Sequence, residues 1–217
     1  MMPTAVIFDL DGTLLDSMPV WDTLGENYLR SKGVTPLAHV RDDLKTMTLL
    51  QAAEYFKREY HLTGSAEEIT DEINAMIDHA YRFDVQLKPH VFSFLQKLKQ
   101  NHVKMCIATA TDRCLAEPAL RRLNIADCFS FVLTCTETGF SKESGEIYEK
   151  ALELLQTEKS ETVVFEDALH AAQSAKNAGF PVIAVYDSSA DRDAEKLKQT
   201  ADRYIRSFEE CEVEHLI

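Results

Sequence analysis

Two aspartates separated by one residue follow the first apolar run of the chain. The run 4–8 contains β-branched residues and predicts a buried strand. Asp9 and Asp11 follow it in the segment Asp-Leu-Asp-Gly-Thr, and two more acids, Glu166 and Asp167, follow a later apolar run. Carboxylates placed in this way can act as a nucleophile, as a general acid or base, or as metal ligands.

A threonine and a lysine complete the set of polar residues expected at the same edge. Thr109 ends the predicted strand 104–109 and Ala110 follows it, and Lys142 lies in the loop and helix entry after the strand 131–134. In open parallel sheets, ligands bind beyond the carboxyl ends of the strands. Several carboxylates cannot all stay ionised at one point without a partner, and Mg²⁺, which prefers oxygen ligands, resolves that conflict. We therefore expect the metal, the lysine and the threonine hydroxyl to bind a phosphate group.

The charge balance restricts the partners. The formal net charge is −13, so the surface repels the phosphates of nucleic acids and anionic membranes, and neither is expected as a partner. A phosphorylated metabolite would be repelled as well. A phosphate site in this chain must therefore be locally positive, through a metal ion, a lysine and backbone N–H groups.

The region after Pro89 alternates between helical and strand patterns. The predicted elements are helix 91–100, strand 104–109, helix 112–123, strand 131–134, helix 144–155, strand 162–165, helix 169–178, strand 182–185, helix 190–200 and strand 204–205. This alternation predicts a parallel sheet with right-handed crossovers. Pro118 lies within a predicted helix, which is expected to kink there or to begin late.

The segment 17–87 has a different character. Apolar residues recur at helical spacing through it, and Ser65 with Glu68 predicts a capping box that opens its last helix. No strand is predicted there. The expected organisation is an α/β core domain formed by 1–16 and 88–217, with an inserted all-helical cap domain at 17–87.

Length and composition indicate a protein of the cytoplasm. With 217 residues, of which 45% are hydrophobic, the chain can form an α/β core with a smaller insert. No apolar run approaches the roughly 20 residues of a membrane-spanning helix, and no signal peptide is expected. The five cysteines include no C-x-x-C pair, which favours a reduced, cytoplasmic setting over a disulfide framework. We expect a monomer or a weak homodimer.

The segment 9–17, Asp-Leu-Asp-Gly-Thr-Leu-Leu-Asp-Ser, resembles the first motif of the haloacid dehalogenase superfamily, D-x-D-G-T-x-x-D-S. Thr109 resembles the second motif, Lys142 the third, and Glu166-Asp167-Ala168 the fourth, an E-D-S-type segment. The helical insert resembles the cap of the β-phosphoglucomutase-like group. The resemblance covers nearly the whole chain and implies a Rossmann-like parallel core with a helical cap.

The resemblance also implies a role for each residue at the phosphate. Asp9 attacks the phosphorus and forms an aspartyl-phosphate, and Asp11 acts as general acid and base. Thr109 donates its hydroxyl, and Ala110 its N–H, to the transferring phosphoryl group, whose charge Lys142 neutralises. Dehalogenases of the superfamily lack the second aspartate, so Asp11 favours phosphoryl transfer over dehalogenation.

The same resemblance implies a Mg²⁺ site. Its residues are Asp9, Asp11 through its backbone carbonyl, Glu166 and Asp167. Asp167 is expected to be a direct ligand, and Glu166 either a ligand or a support for the ligands. The chain departs from the usual pattern nearby, because Glu143 replaces a proline, Ala168 a serine and Ala171 a glycine.

Three functions are compared for a chain with this set of residues. A phosphatase hydrolyses the aspartyl-phosphate, and a β-phosphoglucomutase-type mutase returns the phosphoryl group to a sugar. A non-enzymatic protein on the same scaffold is disfavoured, because it is expected to lack a catalytic carboxylate or lysine and this chain has them all. Mutases need basic cap residues for a second phosphate. Here no arginine adjoins Thr48, Arg41 and Lys45 are shifted from that position, and the predicted helix 67–80 has no lysine or arginine.

A Mg²⁺-dependent phosphatase acting on a small phosphorylated metabolite is therefore the favoured function, with the mutase as the alternative. A sugar phosphate is preferred as substrate by analogy only. Phosphoglycolate and nucleoside monophosphates stay open as substrates.

Overall fold

The computed structural model describes residues 1–44 and 47–217. Within these residues the chain forms two compact units, one made of Met1–Met18 and Val85–Ile217 and the other of Pro19–Asp84. The domain boundaries expected from the sequence, after residue 16 and after residue 87, stay a prediction. No helix in the described part of the chain is long and apolar enough to cross a membrane.

The larger unit contains a six-stranded parallel sheet and a short antiparallel pair. Its strands are β1 (Ala5–Phe8), β2 (Leu15–Asp16), β3 (Gln86–Leu87), β4 (Lys104–Thr109), β5 (Val132–Thr134), β6 (Thr162–Glu166), β7 (Val182–Val185) and β8 (Arg203–Ile205). The six-stranded sheet has the order β5-β4-β1-β6-β7-β8, and all neighbouring strands are parallel. The α/β class expected from the alternating pattern is confirmed.

The smaller unit has only helical elements in its described residues. They are α1 (Met18–Ser31), α2 (Val40–Leu44), α3 (Leu49–Tyr60), α4 (Ala66–His79) and a π-helical turn at Ala80–Asp84. The capping box expected from Ser65 and Glu68 is present at the start of α4, because each backbone N–H donates to the side chain of the other residue. In the core of this unit, Tyr28 of α1 stacks on Phe56 of α3 with ring centroids 5.7 Å apart.

Helices alternate with the strands in the larger unit. They are α5 (Val91–Gln100), α6 (Arg113–Arg122), α7 (Cys135–Thr138), α8 (Glu146–Leu155), α9 (Leu169–Asn177) and α10 (Ala194–Thr200). Helix α6 begins at Arg113 and contains Pro118 in its interior, so the helix does not begin late. In the core, Phe8 of β1 contacts Phe165 of β6 and Phe94 of α5, with centroid distances of 5.0 and 6.3 Å. This packing supports the ends of two neighbouring strands.

Three local features differ from the expectation. Strands β2 and β3 pair antiparallel, although β3 lies in the segment predicted to be all-helical. Helix α7 was not predicted, and it begins where the Thr134 hydroxyl accepts the Glu137 N–H and ends at Gly139, which has φ +73°. The predicted helix 190–200 starts as a 3₁₀ helix at Ser188–Asp193. Elements this short carry no periodic pattern, so local caps and pairing decide them.

Candidate active site

The carboxyl ends of three strands meet at one edge of the sheet. Phe8 of β1 pairs in register with Ile107 of β4 and with Phe165 of β6. Just beyond this register, Asp9 N–H donates to Phe165 O at 3.0 Å. Parallel pairing therefore brings the residues that follow β1 and β6 together, beside Thr109 at the end of β4.

Three buried carboxylates form a cluster at this edge. Asp9, Glu166 and Asp167 each place one carboxylate oxygen within 4.8 Å of the others. Lys142, in the loop before α8, donates from its Nζ to Asp9 Oδ1 and to Glu166 Oε1. Tyr148 of α8 also donates its hydroxyl to Glu166 Oε1, at 2.8 Å. All five side chains are buried, so their charges are poorly screened by water.

The donor atoms of this cluster fit a hard divalent cation. Three carboxylates share a single buried lysine, so negative charge exceeds positive charge among these groups. Uncompensated buried charge is unfavourable, and a cation that binds the oxygens offsets it. Carboxylate oxygens are the ligands that Mg²⁺ prefers in proteins. The cluster can therefore hold a metal ion.

Burial and mutual repulsion shift the titration of the cluster. Burial raises the pKa of Glu166 to about 7, although Lys142 opposes the rise. Burial and then the charges of Asp9 and Glu166 raise the pKa of Asp167 well above its ordinary value. Burial lowers the pKa of Lys142, but the two carboxylates outweigh burial and hold its pKa well above the usual range. The lysine therefore stays charged while the metal-free cluster takes up protons near neutral pH.

We expect Mg²⁺ to raise the melting temperature more at about pH 8 than at about pH 5, because protons and the metal compete for the same oxygens. The pKa of Glu166 rises from 4.5 to about 7 on folding. Between these values the folded state binds more protons than the unfolded chain, so the stability of the metal-free protein falls as the pH rises. Melting curves recorded with and without Mg²⁺ between about pH 5 and about pH 8 measure how the metal-induced rise in melting temperature depends on pH. An equal metal-induced shift at both ends would contradict metal binding by these carboxylates.

A tight turn after β1 lies against Asp167. Gly12 in this turn has φ +77°, and a Cβ there would lie 2.3 Å from Asp167 Oδ2. Only glycine fits such a position, because it tolerates this backbone conformation and has no side chain to clash. The next residue, Thr13, donates its hydroxyl to Asp167 Oδ1 at 3.2 Å. The turn therefore orients one carboxylate of the cluster.

The Asp11 carboxylate is held by two hydroxyl groups. Its Oδ1 accepts a hydrogen bond from Ser17 Oγ at 2.6 Å, and its Oδ2 accepts one from Thr111 Oγ1 at 2.5 Å. It lies outside the group formed by Asp9, Glu166 and Asp167. Only the backbone carbonyl of Asp11 was expected at the metal, so its side chain does not need to join the cluster. A carboxylate that lies apart from the metal ligands is compatible with the expected role in proton transfer.

The residues expected at the phosphate lie at the carboxyl ends of β4 and β5. Thr109 is buried, and its Oγ1 accepts the Thr111 N–H at 3.0 Å. Ala110 follows as an exposed residue. Lys142 comes after β5 and α7 and reaches the carboxylate cluster. The structure brings the lysine to Asp9, and the role of all three residues in binding phosphate stays a prediction.

Sequence reasoning missed contacts that support the site. Tyr148 was considered only as part of a helix, and no local signal marks its hydroxyl as a partner of Glu166. The Thr111 hydroxyl contacts Asp11, and Thr111 immediately precedes Asp112, the N-cap residue of α6. Ser17 belongs to the first motif together with Asp11, and this shared motif is the one sequence signal that could have indicated their contact.

Comparison with known proteins shows the family. Residues 6–185 match the model of the haloacid dehalogenase-like hydrolases. The chain belongs to this family. A phosphoglycolate phosphatase of Rhodobacter capsulatus is 30% identical over 189 residues, which cover 84% of each chain. A phosphorylated carbohydrates phosphatase of Thermotoga maritima is 25% identical, with 81% of each chain covered.

Solved structures of the family share the fold. CbbY of Rhodobacter sphaeroides in complex with phosphate matches with a TM-score of 0.75 at 22% identity, with 96% of each chain covered. A β-phosphoglucomutase of Clostridium difficile matches with a TM-score of 0.71 at 20% identity, over 99% of this chain and 96% of the other. The expected haloacid dehalogenase-like fold is confirmed, as is the class of phosphoric monoester hydrolases.

Proposed function

We propose that this hydrolase is a Mg²⁺-dependent phosphatase that acts on a small phosphorylated metabolite through an aspartyl-phosphate at Asp9. The observation that carries the proposal is the environment of Asp9, which is buried against the Lys142 ammonium group and within 4.8 Å of two further carboxylates. The lysine can offset the charge of an incoming phosphoryl group. The neighbouring carboxylates can share a divalent cation with the nucleophile.

Four residues would hold Mg²⁺. Asp9 and Asp167 would bind through carboxylate oxygens and Asp11 through its backbone carbonyl, with Glu166 as ligand or support. When bound, the ion would neutralise part of the negative charge that the phosphoryl group brings to the carboxylates. Glu166 Oε1 already accepts hydrogen bonds from a lysine and a tyrosine. These bonds favour the supporting role for Glu166.

The chemistry of the chain's own residues would proceed in two steps. Asp9 would attack phosphorus while the bond to the substrate oxygen breaks, and Asp11 would give that oxygen a proton. Lys142, the Thr109 hydroxyl and the Ala110 N–H would bind the phosphoryl oxygens. A water molecule, deprotonated by Asp11, would then attack the phosphorus and release inorganic phosphate from Asp9.

We infer that the substrate is a phosphorylated carbohydrate or a similarly small phosphate ester. Two relatives are named for phosphoglycolate and for phosphorylated carbohydrates, and the net charge of −13 disfavours large polyanions. A cytoplasmic location and a monomeric or weakly dimeric state stay predictions from the sequence.

The mutase alternative has little support in the cap residues. Helix α4 contains no lysine or arginine. Of the two shifted basic residues, Arg41 lies 3.4 Å from Glu26, measured between Nη2 and Oε1, and Lys45 lies outside the described residues. A second phosphate group therefore has no evident basic partner among the described residues of these segments.

The proposal is tested by phosphate release from a panel of phosphorylated metabolites with Mg²⁺ present. The panel includes p-nitrophenyl phosphate, phosphoglycolate, sugar phosphates, nucleoside monophosphates and β-glucose 1-phosphate, and glucose 6-phosphate is followed separately. Release from a narrow set of phosphate esters supports the phosphatase and identifies its substrate. Formation of glucose 6-phosphate without phosphate release would establish the mutase instead.

Removal of Mg²⁺ with EDTA is expected to stop phosphate release, and addition of excess Mg²⁺ should restore it. The reason is that the carboxylate cluster and a phosphoryl group repel each other, and a bound divalent cation would offset that repulsion. Activity is measured before chelation, after chelation and after Mg²⁺ is returned. Full activity in EDTA would contradict the metal dependence.

A further inference from the structure

We propose that Lys88 and Asp187 are positioning residues for the metal site. The pair holds the peptide between Gly12 and Thr13, and through the Thr13 hydroxyl it orients the carboxylate of Asp167. This inference rests on the proposed function, because Asp167 is a metal ligand only in that proposal. Lys88 and Asp187 contact neither substrate nor metal in it.

The Lys88 ammonium group is fully hydrogen-bonded inside the larger unit. Its Nζ donates to Gly12 O at 2.5 Å, to Tyr186 O at 2.6 Å and to Asp187 Oδ2 at 2.8 Å. These three bonds use all the donors that an ammonium group has. The side chain of Lys88 is only 12% exposed and that of Asp187 only 4%. A buried charge bonded in this way is confined to one position, and so are the groups that accept from it.

Lys88 contacts the catalytic turn at a second point. Its backbone N–H donates to Leu14 O at 2.9 Å, while the side chain binds Gly12 O. Gly12 N–H in turn donates to Leu15 O at 3.0 Å. Two carbonyl groups of the turn after β1 are thus bound by the one residue that follows β3.

Asp187 anchors the lysine at the carboxyl end of β7. Its Oδ1 accepts hydrogen bonds from the N–H and the hydroxyl of Ser189, at 2.9 and 2.7 Å, and its Oδ2 accepts from Lys88. Both oxygens are therefore fixed. Because β7 is the neighbour of β6 in the sheet, the anchor belongs to the same strand ends that carry Glu166 and Asp167.

The link from this pair to the metal ligand is short. A peptide unit is planar, so fixing the Gly12 carbonyl also fixes the nitrogen and Cα of Thr13. The Thr13 hydroxyl donates to Asp167 Oδ1, and Gly12 packs so closely on Asp167 that a Cβ would clash with it. A shift of the Gly12 carbonyl would therefore move both groups that orient this carboxylate.

The effect of Lys88→Met on Mg²⁺ affinity distinguishes a positioning role from a purely electrostatic one, because the two predict changes in opposite directions. Removal of a positive charge near a cation site strengthens cation binding by Coulomb attraction. Loss of the bond to Gly12 O loosens Asp167 and weakens cation binding. The double variant Lys88→Met/Asp187→Asn removes one charge of each sign, so it isolates the positioning effect from the change in net charge.

The experiment measures Mg²⁺ affinity by titration calorimetry of the metal-free proteins. We expect the dissociation constant to rise about tenfold in both Lys88→Met and the double variant, the lower end of the range for residues that orient metal ligands. An unchanged or tighter affinity in a folded variant would overturn the proposal. The Thr13→Val variant tests whether the effect passes through the Thr13 hydroxyl. In a protein that already carries Thr13→Val, adding Lys88→Met/Asp187→Asn should change the Mg²⁺ affinity much less than it does in the wild type.

The matched control is a second lysine–aspartate pair at the other end of β7. Lys176 Nζ lies 2.8 Å from Asp202 Oδ1, and Asp202 also accepts the N–H of Val182, the first residue of β7. Lys176→Met/Asp202→Asn removes the same chemical groups away from the turn, and its Mg²⁺ affinity should stay within about twofold of wild type. An equal loss in the control would mean that general destabilisation weakens the metal site, and would overturn the proposal.

Phosphate release by the wild type is measured separately. A wild-type protein that binds Mg²⁺ but releases no phosphate would refute the proposed function and leave the comparison of affinities valid. A wild type with normal activity and variants with unchanged Mg²⁺ affinity would refute the positioning role alone.

Discussion

Asp9→Asn is expected to reduce phosphate release by roughly 10⁴-fold or more, the scale seen when a nucleophile is removed from an enzyme. An amide oxygen is a poor nucleophile, so no aspartyl-phosphate can form. The replacement keeps the size of the side chain and the position of its backbone, whose N–H donates to Phe165 O. Steady-state and single-turnover phosphate release measure the loss, and melting curves show that the fold survives.

Asp127→Asn is the matched control for this change. Asp127 is an exposed aspartate in the 3₁₀ helix Ala126–Cys128 that precedes β5, away from the carboxyl ends of the strands. The control should keep wild-type activity. Substantial turnover by a folded Asp9→Asn protein would remove Asp9 as the nucleophile and leave another carboxylate of the cluster to be tested.

Lys142→Met is expected to lower both activity and stability. Lys142 lies between Asp9 and Glu166 and is buried with them. Removal of one member of a buried ion pair leaves an uncompensated charge, which typically costs about 3–5 kcal/mol. Urea unfolding of the metal-free protein near neutral pH measures this loss of stability. Phosphate release measures the loss of activity that follows when the Lys142 ammonium group can no longer bind the phosphoryl group.

The conditions under which the Lys142→Met variant regains stability show whether its loss of stability comes from unpaired buried charge. Lys142 holds down the pKa of Glu166 against burial, so the variant should recover stability as the pH falls and the carboxylates become protonated. Adding Asp9→Asn should also recover part of the loss, because it removes one of the unpaired charges. Lys97→Met, at an exposed position of α5, should change the unfolding free energy by less than about 0.5 kcal/mol. A loss that is the same at all pH values would contradict a charge-based origin.

Much of the fold could be predicted from local patterns. The bounds of β4 and α5 match their predicted ranges, and the capping box at Ser65 and Glu68 is present as expected. These elements are long or carry strong end signals, so periodicity and caps suffice to define them. The two-residue pairing of Leu15–Asp16 with Gln86–Leu87 could not be predicted, because it depends on the meeting of distant segments.

The residue types expected at the candidate site could also be chosen from the sequence. Asp9 and Asp167 follow predicted strands, and the carboxyl ends of parallel strands meet at one edge. The net charge of −13 required a local cation, and Lys142 reaches the carboxylate of Asp9. The catalytic, phosphate-binding and metal-binding roles of these residues stay predictions until the variants are measured.

The sequence by itself determined the alternating elements, the acidic strand ends and the motif that resembles the family. Only the tertiary structure decided which side chains support them. Tyr148 bonds to Glu166, and Lys88 binds carbonyl groups of Gly12 and Tyr186, which lie 76 and 98 residues away along the chain. Local propensity acts over a few residues, whereas these contacts depend on strand register and loop closure across the whole core, and they exist only once the sheet has formed.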